Sequence, residues 1–427
     1  MRPDQKRRDG PWRGRQVDRC PGRRPPRTQS PLIKTPPRVA LGRLFARSVT
    51  SERRQRLARD WRRLVRRATR QPATVHYFHQ ADDPYSQLAA TQLDELRSRY
   101  PIRLATHVVP PPDRAAAPQA EALREWSRRD AARWAQYFGL APPEPDRHAA
   151  DRMLSCRGSS SALESGAALR RKLGHYLGGM FHFEGEWYWG LDRLHYLESR
   201  LAADLQRERT QRPLFLPPTL QFAPAARTAP APTLDFFCSL RSPYTWLATP
   251  RVRALARHYG ATLRLRFVLP MVMRGLPVPL AKRLYILKDT KREALRLGLP
   301  FGDVADPVGS PTERGLAVLH HAIQEGCGEE FLESFLRGVF AEGVDAGSRR
   351  GLERIGLRAG MTAAGLDDAL ADHSWRGVAD GHREDLLAAG LWGVPSFRVN
   401  GLPALWGQDR LWMVEQDLRD ASARRDA

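Results

Sequence analysis

The stretch that decides the fold is Ser242-Pro243-Tyr244-Thr245-Trp246-Leu247-Ala248, which follows a β-rich run at residues 234–238. Proline is well tolerated in the first turn of a helix, where its missing N–H has no partner to lose. The stretch therefore predicts a helix from about Pro243 to Tyr259. A second β-rich run at 263–269 follows, so this part of the chain predicts a βαβ unit with parallel strands.

The same pattern occurs earlier in the chain. There the run 75–78 leads into Asp83-Pro84-Tyr85-Ser86-Gln87-Leu88-Ala89, which predicts a helix from about Pro84 to Tyr100. Two later stretches also recur: Gly393-Val394-Pro395-Ser396-Phe397 before Trp406-Gly407-Gln408-Asp409-Arg410-Leu411, and Gly178-Gly179-Met180-Phe181 before Trp189-Gly190-Leu191-Asp192-Arg193-Leu194. Self-similarity in the same order predicts two copies of one unit.

Each copy predicts the order β-α-β, a helical insertion, and then a hairpin with a final helix. The insertion is shorter in the first copy (about 119–176) than in the second (about 279–389). This order is typical of a thioredoxin-like domain that carries an inserted helical subdomain. The predicted fold class is therefore α/β, with two tandem thioredoxin-like domains at residues 73–210 and 231–427. A Pro-, Ala- and Thr-rich linker at 211–230 joins them.

The positive charge of the chain lies almost entirely before the first domain. Residues 1–72 contain 23 Lys and Arg against 5 Asp and Glu, which gives +18 of the formal +22. This extension is predicted to be largely disordered, and residues 1–37 in particular have few apolar residues to bury. A solvated tail is the prediction, with an arm for nucleic acid or an anionic surface as the alternative, so nucleic acid is not an expected partner.

Residues 52–70 of this extension predict a basic amphipathic helix, because apolar residues recur at helical spacing among many arginines. Its apolar stripe either packs against the first domain, which is the more common outcome, or lies on a membrane surface.

Cysteine usage and hydropathy exclude several classes of protein. Cys20, Cys156, Cys238 and Cys327 form neither a Cys-x-x-Cys pair nor a zinc-type cluster, so no disulfide framework and no metal is expected. No stretch has the length and apolarity of a membrane-spanning helix, and the N-terminus lacks the apolar core of a signal peptide. These features predict a cytoplasmic protein.

Ser242 lies where a helix start can stabilise an anion. Unpaired N–H groups there carry partial positive charge. Disulfide oxidoreductases of the thioredoxin-like fold place a protein thiolate at this point, in a Cys-x-x-Cys pair. Here the four residues are Ser242-Pro243-Tyr244-Thr245, which excludes dithiol exchange through this motif. The anion must then come from a ligand, to which the Ser242 hydroxyl can donate a hydrogen bond.

Pro395 occupies the position at which thioredoxin-like domains carry a cis proline facing that helix start. A cis bond would leave the N–H and C=O of Val394 free to pair with an extended peptide. Glutathione, a short thiol peptide, fits both requirements. Gln408 and Asp409, at the start of the last helix, would then bind its α-amino end by charge-assisted hydrogen bonds.

These residues resemble the 2-hydroxychromene-2-carboxylate isomerases and the kappa-class glutathione transferases, a branch of the DsbA-like thioredoxin superfamily of oxidoreductases. The similar positions are 242–248, Lys282, Tyr285-Ile286, Asp289, 299–301, 393–397 and 406–410. The resemblance implies that Ser242 is catalytic and positions the glutathione sulfur, while Val394, Pro395, Gln408 and Asp409 contact glutathione. Tyr244, Lys282 and Tyr285 would line the substrate pocket. Lys282 would hold a substrate carboxylate there, or is simply a solvated lysine.

The function that the resemblance implies is that of a glutathione-dependent isomerase or transferase with a small-molecule electrophile as substrate. In the isomerase the thiolate adds to an activated double bond, the new single bond rotates, and elimination follows. In the transferase the same thiolate attacks another electrophile. Residues 268–275 depart from the aromatic, glycine-rich run usual in the isomerases. The alternative function is a non-catalytic thioredoxin-fold scaffold or binding protein.

The first copy is expected to be catalytically degenerate. Asp83 replaces the serine at the helix start and would repel a thiolate, and Gly179 replaces the proline. We expect this copy to pack against the second as a pseudo-symmetric pair within a monomer.

Overall fold

The structure is a computed structural model, which describes residues 37–114, 116–144, 157–205, 212–224 and 230–423. Residues 1–36, whose disorder the composition predicts, and positions 211 and 225–229 of the predicted linker lie outside these ranges. No described helix is long and apolar enough to cross a membrane.

Two helices precede the first sheet: α1 (Pro37–Thr50) and α2 (Glu52–Ala68). The Ser51 hydroxyl, which accepts a hydrogen bond from the Arg54 N–H at 3.4 Å, caps α2. The sequence analysis predicted a helix at the position of α2 but none at the position of α1. Both helices contact the rest of the protein through arginines, with Arg43 of α1 bonded to Asp303 and Arg59 of α2 bonded to Glu186.

The first sheet and its helices occupy residues 74–204. Their bounds are β1 (Thr74–His79), α3 (Pro84–Ala90), α4 (Leu93–Arg99), β2 (Arg103–Val108), α5 (Ala120–Tyr137), α6 (Arg157–Lys172), β3 (Met180–Phe183), β4 (Glu186–Trp189) and α7 (Leu194–Asp204). The single helix predicted from Pro84 to Tyr100 is wrong, because α3 ends at Ala90 and α4 begins at Leu93. The Thr91 hydroxyl donates to the Leu88 carbonyl at 2.8 Å, a local bond that competes with helix continuation.

The second sheet and its helices occupy residues 233–423. Their bounds are β5 (Thr233–Cys238), α8 (Pro243–Tyr259), β6 (Thr262–Phe267), α9 (Leu280–Leu297), α10 (Ser310–Gln324), α11 (Gly328–Ala341), α12 (Arg349–Arg358), α13 (Ala363–Ala371), α14 (Trp375–Ala388), β7 (Ser396–Val399), β8 (Leu405–Trp406) and α15 (Leu411–Ala423). Helices α9 to α14 form the predicted insertion between β6 and β7. The Pro243 to Tyr259 helix has the predicted bounds.

The two sheets have the same strand order and pairing. They run β2-β1-β3-β4 and β6-β5-β7-β8, each with one parallel pair followed by two antiparallel pairs. Phe78 pairs with Met180 in the first sheet, and Phe237 pairs with Ser396 in the second. This register places Gly179 and Pro395, the residues before β3 and β7, at equivalent points.

A continuous buried core joins the two halves. It includes Tyr77 and Phe181 from the first sheet, and Phe236 and Phe397 from the second. The Trp126 indole donates to the Ala404 carbonyl at 3.2 Å across the junction. The two helix starts that carry the repeated motif are therefore fixed relative to one another.

Candidate functional site

Ser242 caps the N-terminus of α8. Its backbone is extended (φ −95°, ψ 113°), and its hydroxyl oxygen accepts a hydrogen bond from the Thr245 N–H at 3.2 Å. The same hydroxyl donates to the Val394 carbonyl at 3.4 Å, a long bond that links the helix start to the loop before β7. A ligand atom that is a stronger hydrogen-bond acceptor can replace the Val394 carbonyl as the partner of this hydroxyl.

The Val394–Pro395 peptide bond is cis, as the sequence predicts. The Pro395 carbonyl accepts a hydrogen bond from the Gly407 N–H at 2.9 Å, which ties the loop to the segment after β8. Among the described residues the Val394 N–H has no hydrogen-bond partner. An unpaired backbone N–H at a cavity wall is a point where an added peptide strand can pair.

Both helix starts line one cavity of about 660 Å³, a volume within the range of about 300–1,000 Å³ of small-molecule sites. Asp83 and Tyr85 reach it from the first half, and Ser242 and Tyr244 reach it from the second. The remaining predicted site residues also line it: Val394, Pro395, Gln408, Asp409, Lys282 and Tyr285. Every predicted site residue thus lines this one cavity.

Comparison with protein families matches residues 233–419 to the DsbA-like thioredoxin domain. This part of the chain is a DsbA-like thioredoxin domain. The helix start at Ser242 and the cis proline at position 395 both lie within it. The superfamily suggested by the resemblance is thereby confirmed for the second half of the chain.

Several solved structures are similar to the chain. A 2-hydroxychromene-2-carboxylate isomerase gives a TM-score of 0.40 at 20% identity, over 45% of this chain and 98% of that chain. A putative protein disulfide isomerase from Nitrosomonas europaea gives 0.39 at 15%, over 46% and 100%. The cytosolic disulfide reductase DsbM from Pseudomonas aeruginosa gives 0.37 at 21%, also over 46% and 100%. No curated protein matches the chain.

Neither free thiol of the described residues lies at the helix start of the DsbA-like domain. Cys238 is buried within β5, where burial raises the pKa of its thiol, and Cys327 precedes α11. The described residues also contain no group of three His, Cys, Asp or Glu that could hold a metal ion. Neither of these two described thiols can therefore supply a thiolate at Ser242.

The side chains of Gln408 and Asp409 already have internal partners. Gln408 is buried, and its amide donates to Glu293 at 2.8 Å and accepts from Arg251 at 2.8 Å. The Asp409 carboxylate accepts from Arg193 at 3.0 Å. Burial opposes ionisation of Asp409, but Arg410 and Arg193 outweigh it and hold the pKa of its carboxyl below the usual value. Asp409 retains acceptor capacity for a ligand amine, whereas Gln408 is part of the supporting wall.

Lys282 and Tyr285, both on α9, line the cavity, and their polar groups have few hydrogen-bond or ion-pair partners within the described residues. The Lys282 amine donates to the Ala116 carbonyl at 3.0 Å and lies 6.0 Å from the Tyr176 ring centre. Burial lowers the pKa of Lys282, and the described residues give it no carboxylate partner. The buried Tyr285 hydroxyl has no hydrogen-bond partner within the described part of the chain. Both groups can therefore serve a bound molecule.

Arg193, which lies in the first half, completes the site of the DsbA-like domain. Its guanidinium bonds to Asp289 on α9 at 3.0 Å and to Asp409. The Tyr244 hydroxyl donates to the same Asp289 carboxylate at 2.8 Å, and burial raises the pKa of Tyr244. The sequence analysis missed Arg193. The repetition of Asp192-Arg193 as Asp409-Arg410 was the available signal.

An arginine of the second half makes the equivalent contacts with carboxylates of the first half. Arg410 bonds to Asp130 on α5 at 2.9 Å and to Asp192 at 2.8 Å, and the Tyr85 hydroxyl donates to Asp130 at 2.6 Å. Tyr85, Asp130, Asp192 and Arg410 thus mirror Tyr244, Asp289, Asp409 and Arg193. Such reciprocal contacts are the pattern of a two-fold interface, in which residue i meets j and j meets i.

The first half differs at the helix start itself. Asp83 caps α3 by accepting from the Ser86 N–H at 2.8 Å and from the Ser86 hydroxyl at 2.7 Å. Burial raises the pKa of the Asp83 carboxyl to about 6, although these hydrogen bonds act in the opposite direction. Gly179 replaces the proline in a left-handed conformation with φ +63°.

Proposed function

We propose that the DsbA-like domain binds glutathione as its thiolate at the start of α8 and uses it against a small electrophile. The observation that carries the proposal is the juxtaposition of two groups. The Ser242 hydroxyl lies at an N–H-rich helix start, 3.4 Å from the carbonyl of Val394, whose own N–H is unpaired within the described residues. One group suits a sulfur anion, and the other suits a peptide backbone.

The helix start lowers the free energy of a thiolate relative to a thiol. Partial positive charge at the first turn of α8 favours an anion, and the Ser242 hydroxyl donates to the sulfur once its long bond to Val394 is released. The thiol proton leaves to solvent. The peptide part of glutathione pairs with Val394, and its α-amino group is held by Asp409, which faces the cavity beside Pro395.

The two proposed reactions share this thiolate. For an isomerase, the sulfur adds to the β-carbon of an activated double bond and the electron pair moves to the activating carbonyl oxygen. The former double bond then rotates, and elimination returns the thiolate unchanged. For a transferase, the sulfur displaces a leaving group, which departs with its bonding electron pair, or it adds to the double bond and the resulting anion takes up a proton. The sulfur stays attached to the product in both cases. The reaction requires a compartment such as the cytoplasm, where thiols remain reduced.

The cavity wall opposite the helix start favours an electrophile with an anionic group. Lys282 has no carboxylate partner within the described residues, and the Arg274 guanidinium bonds to the Trp392 carbonyl at 3.0 Å while its Nε stays unpaired there. Burial lowers the pKa of both groups, because it disfavours their charged forms. A bound anion that pairs with them would offset this desolvation penalty. Arg274 lies in the segment that departs from the isomerase pattern.

We further propose that the first half is a second copy of the same unit that has lost the thiolate site. The shared strand order, the equivalent register of Gly179 and Pro395, and the reciprocal arginine contacts support this. The pair of halves would then reproduce, within one chain, the interface of a homodimer.

Calorimetric titration with glutathione tests the proposed function. We expect wild type to bind one glutathione per chain, and Ser242→Ala to lower the affinity by about tenfold, because a hydrogen bond to a charged group is lost. Ser348→Ala is the matched control, since Ser348 caps α12 through the same bond, to the Gly351 N–H at 3.0 Å, away from the cavity. Absence of glutathione binding by wild type at millimolar concentration would leave the non-catalytic scaffold as the function.

A further inference from the structure

Helix α2 is attached to the protein by its polar face. Arg59 bonds to Glu186, and Arg66 bonds to Glu184 at 2.7 Å, so these arginines point toward the first sheet. The apolar residues of α2 point away from that sheet: Leu57 is 60% exposed, Trp61 65% and Leu64 59%. The more common outcome in the sequence analysis, packing of this stripe against the first domain, is therefore wrong.

Helix α1 likewise exposes its large apolar side chains. Arg43 is bonded to Asp303, and Thr50 is buried, whereas Leu41, Leu44 and Phe45 are each more than half exposed. Of the sixteen large apolar side chains that are exposed among the described residues, seven lie on these two helices. We call this set the apolar stripe: Leu41, Leu44, Phe45, Leu57, Trp61, Leu64 and Val65. A concentration of this kind in about 30 residues marks an interaction surface.

Positive charge surrounds the apolar stripe. Arg53 and Arg67 lie beside it on α2, are exposed, and have no carboxylate partner within the described part of the chain. Residues 1–36, which precede α1, contain 11 Lys and Arg against 3 Asp. The surface therefore combines an exposed apolar strip with basic residues on its flanks.

We propose that α1 and α2 dock on an anionic lipid bilayer, with the apolar stripe at the boundary between headgroups and acyl chains. A helix of high amphipathicity, rich in arginine and carrying Trp and Leu on its apolar face, is suited to that boundary. Trp61 can place its ring among the headgroups, where tryptophan is enriched. Basic residues such as Arg53 and Arg67 are attracted by the negative surface potential of the bilayer.

Other occupants fit less well. Nucleic acid would use the arginines, but its contacts go mainly to phosphates and base edges, so the apolar stripe would stay in water. A second copy of the chain would bring two segments of like charge together, which disfavours association. Residues 1–36 are basic and contain few large apolar residues, so their composition offers little apolar surface to pair with the stripe.

Flotation of the full chain with vesicles tests this docking. We expect wild type to float with vesicles of phosphatidylcholine mixed with phosphatidylserine and to stay unbound with phosphatidylcholine alone. Leu57→Ser/Trp61→Ser/Leu64→Ser should lower the bound-to-free ratio by at least about tenfold, because the apolar area that α2 can bury in the bilayer is largely lost. The control replaces three other exposed leucines, Leu295→Ser/Leu357→Ser/Leu387→Ser, which are 51%, 57% and 44% exposed, and should float like wild type.

Three results would overturn the proposal. The first is failure of wild type to float with the anionic vesicles. The second is flotation of the stripe variant as well as wild type, which would assign the binding to charge alone. A wild-type dimer that the stripe variant converts to monomer, without vesicle binding, would show that a second copy covers the stripe. Circular dichroism checks folding, and glutathione titration of the same variants separates this surface from the proposed function, because no substituted residue lines the cavity.

Discussion

The helix starts at Ser242 and Asp83 form the same cap but have opposite charge properties. Each side chain accepts a hydrogen bond from the N–H three residues later, so the two residues cap their helices in the same way. Serine leaves the positive helix end available to a ligand anion. Aspartate supplies its own negative charge to that end. Two sites with the same backbone can therefore differ completely in the ligand they accept.

The two halves are alike in that each supplies one arginine to carboxylates of the other half. Arg193 from the first half serves Asp289 and Asp409 of the second, and Arg410 serves Asp130 and Asp192 of the first. The wall of each helix-start site is thus completed by the opposite half. Under the proposed function, the first half would thereby contribute Arg193 to the thiolate site of the second.

The largest expected effect comes from breaking the exchange on one side. Arg193→Ala removes a buried cation that Asp289, Glu293 and Asp409 share, and we expect a loss of about 3–5 kcal/mol in the free energy of unfolding. Denaturant unfolding measures this. Arg97→Ala removes an exposed ion pair with Asp94 and should leave the midpoint almost unchanged. Equal effects of the two substitutions would contradict a special role for the exchange.

The next effect is a pH dependence at Asp83. Its folded-state pKa of about 6 exceeds the usual value of 3.8, so the folded protein binds the proton more tightly than the unfolded chain. Stability from this group is greatest below about pH 4 and falls by about 3 kcal/mol as the pH rises through 6. Unfolding of wild type and Asp83→Asn at several pH values checks this. Parallel pH profiles of the two proteins would show that Asp83 is not responsible.

A smaller effect is expected when the second helix start is made like the first. Ser242→Asp keeps the cap but places a carboxylate beside the proposed thiolate, which should weaken glutathione binding by about 100-fold or more. Titration calorimetry measures the affinity, and thermal unfolding shows whether the domain remains intact. Unchanged affinity would mean that the sulfur does not lie at this helix start.

The sequence predicted those parts of the structure that depend on short stretches of chain. The cap at Ser242, the helix 243–259, the order of strands and helices in the second half and the cis bond at Pro395 all follow from local patterns. The break between α3 and α4 was missed because the bond from Thr91 to Leu88 is a local competitor without a clear sequence signal. Helix α1 was missed because its contact with Asp303 is about 260 residues distant in sequence.

By itself the sequence determined that the motif occurs twice and that only the second copy keeps serine and proline at the decisive points, because residue type fixes charge and backbone conformation locally. Only the tertiary structure decided that both helix starts share one cavity, that Arg193 serves the opposite half, and that α2 turns its apolar face outward. These outcomes depend on which distant carboxylates a guanidinium can reach, such as Arg59 with Glu186 or Arg193 with Asp289. Long-range ion pairing overrode the usual preference of an apolar stripe for the interior.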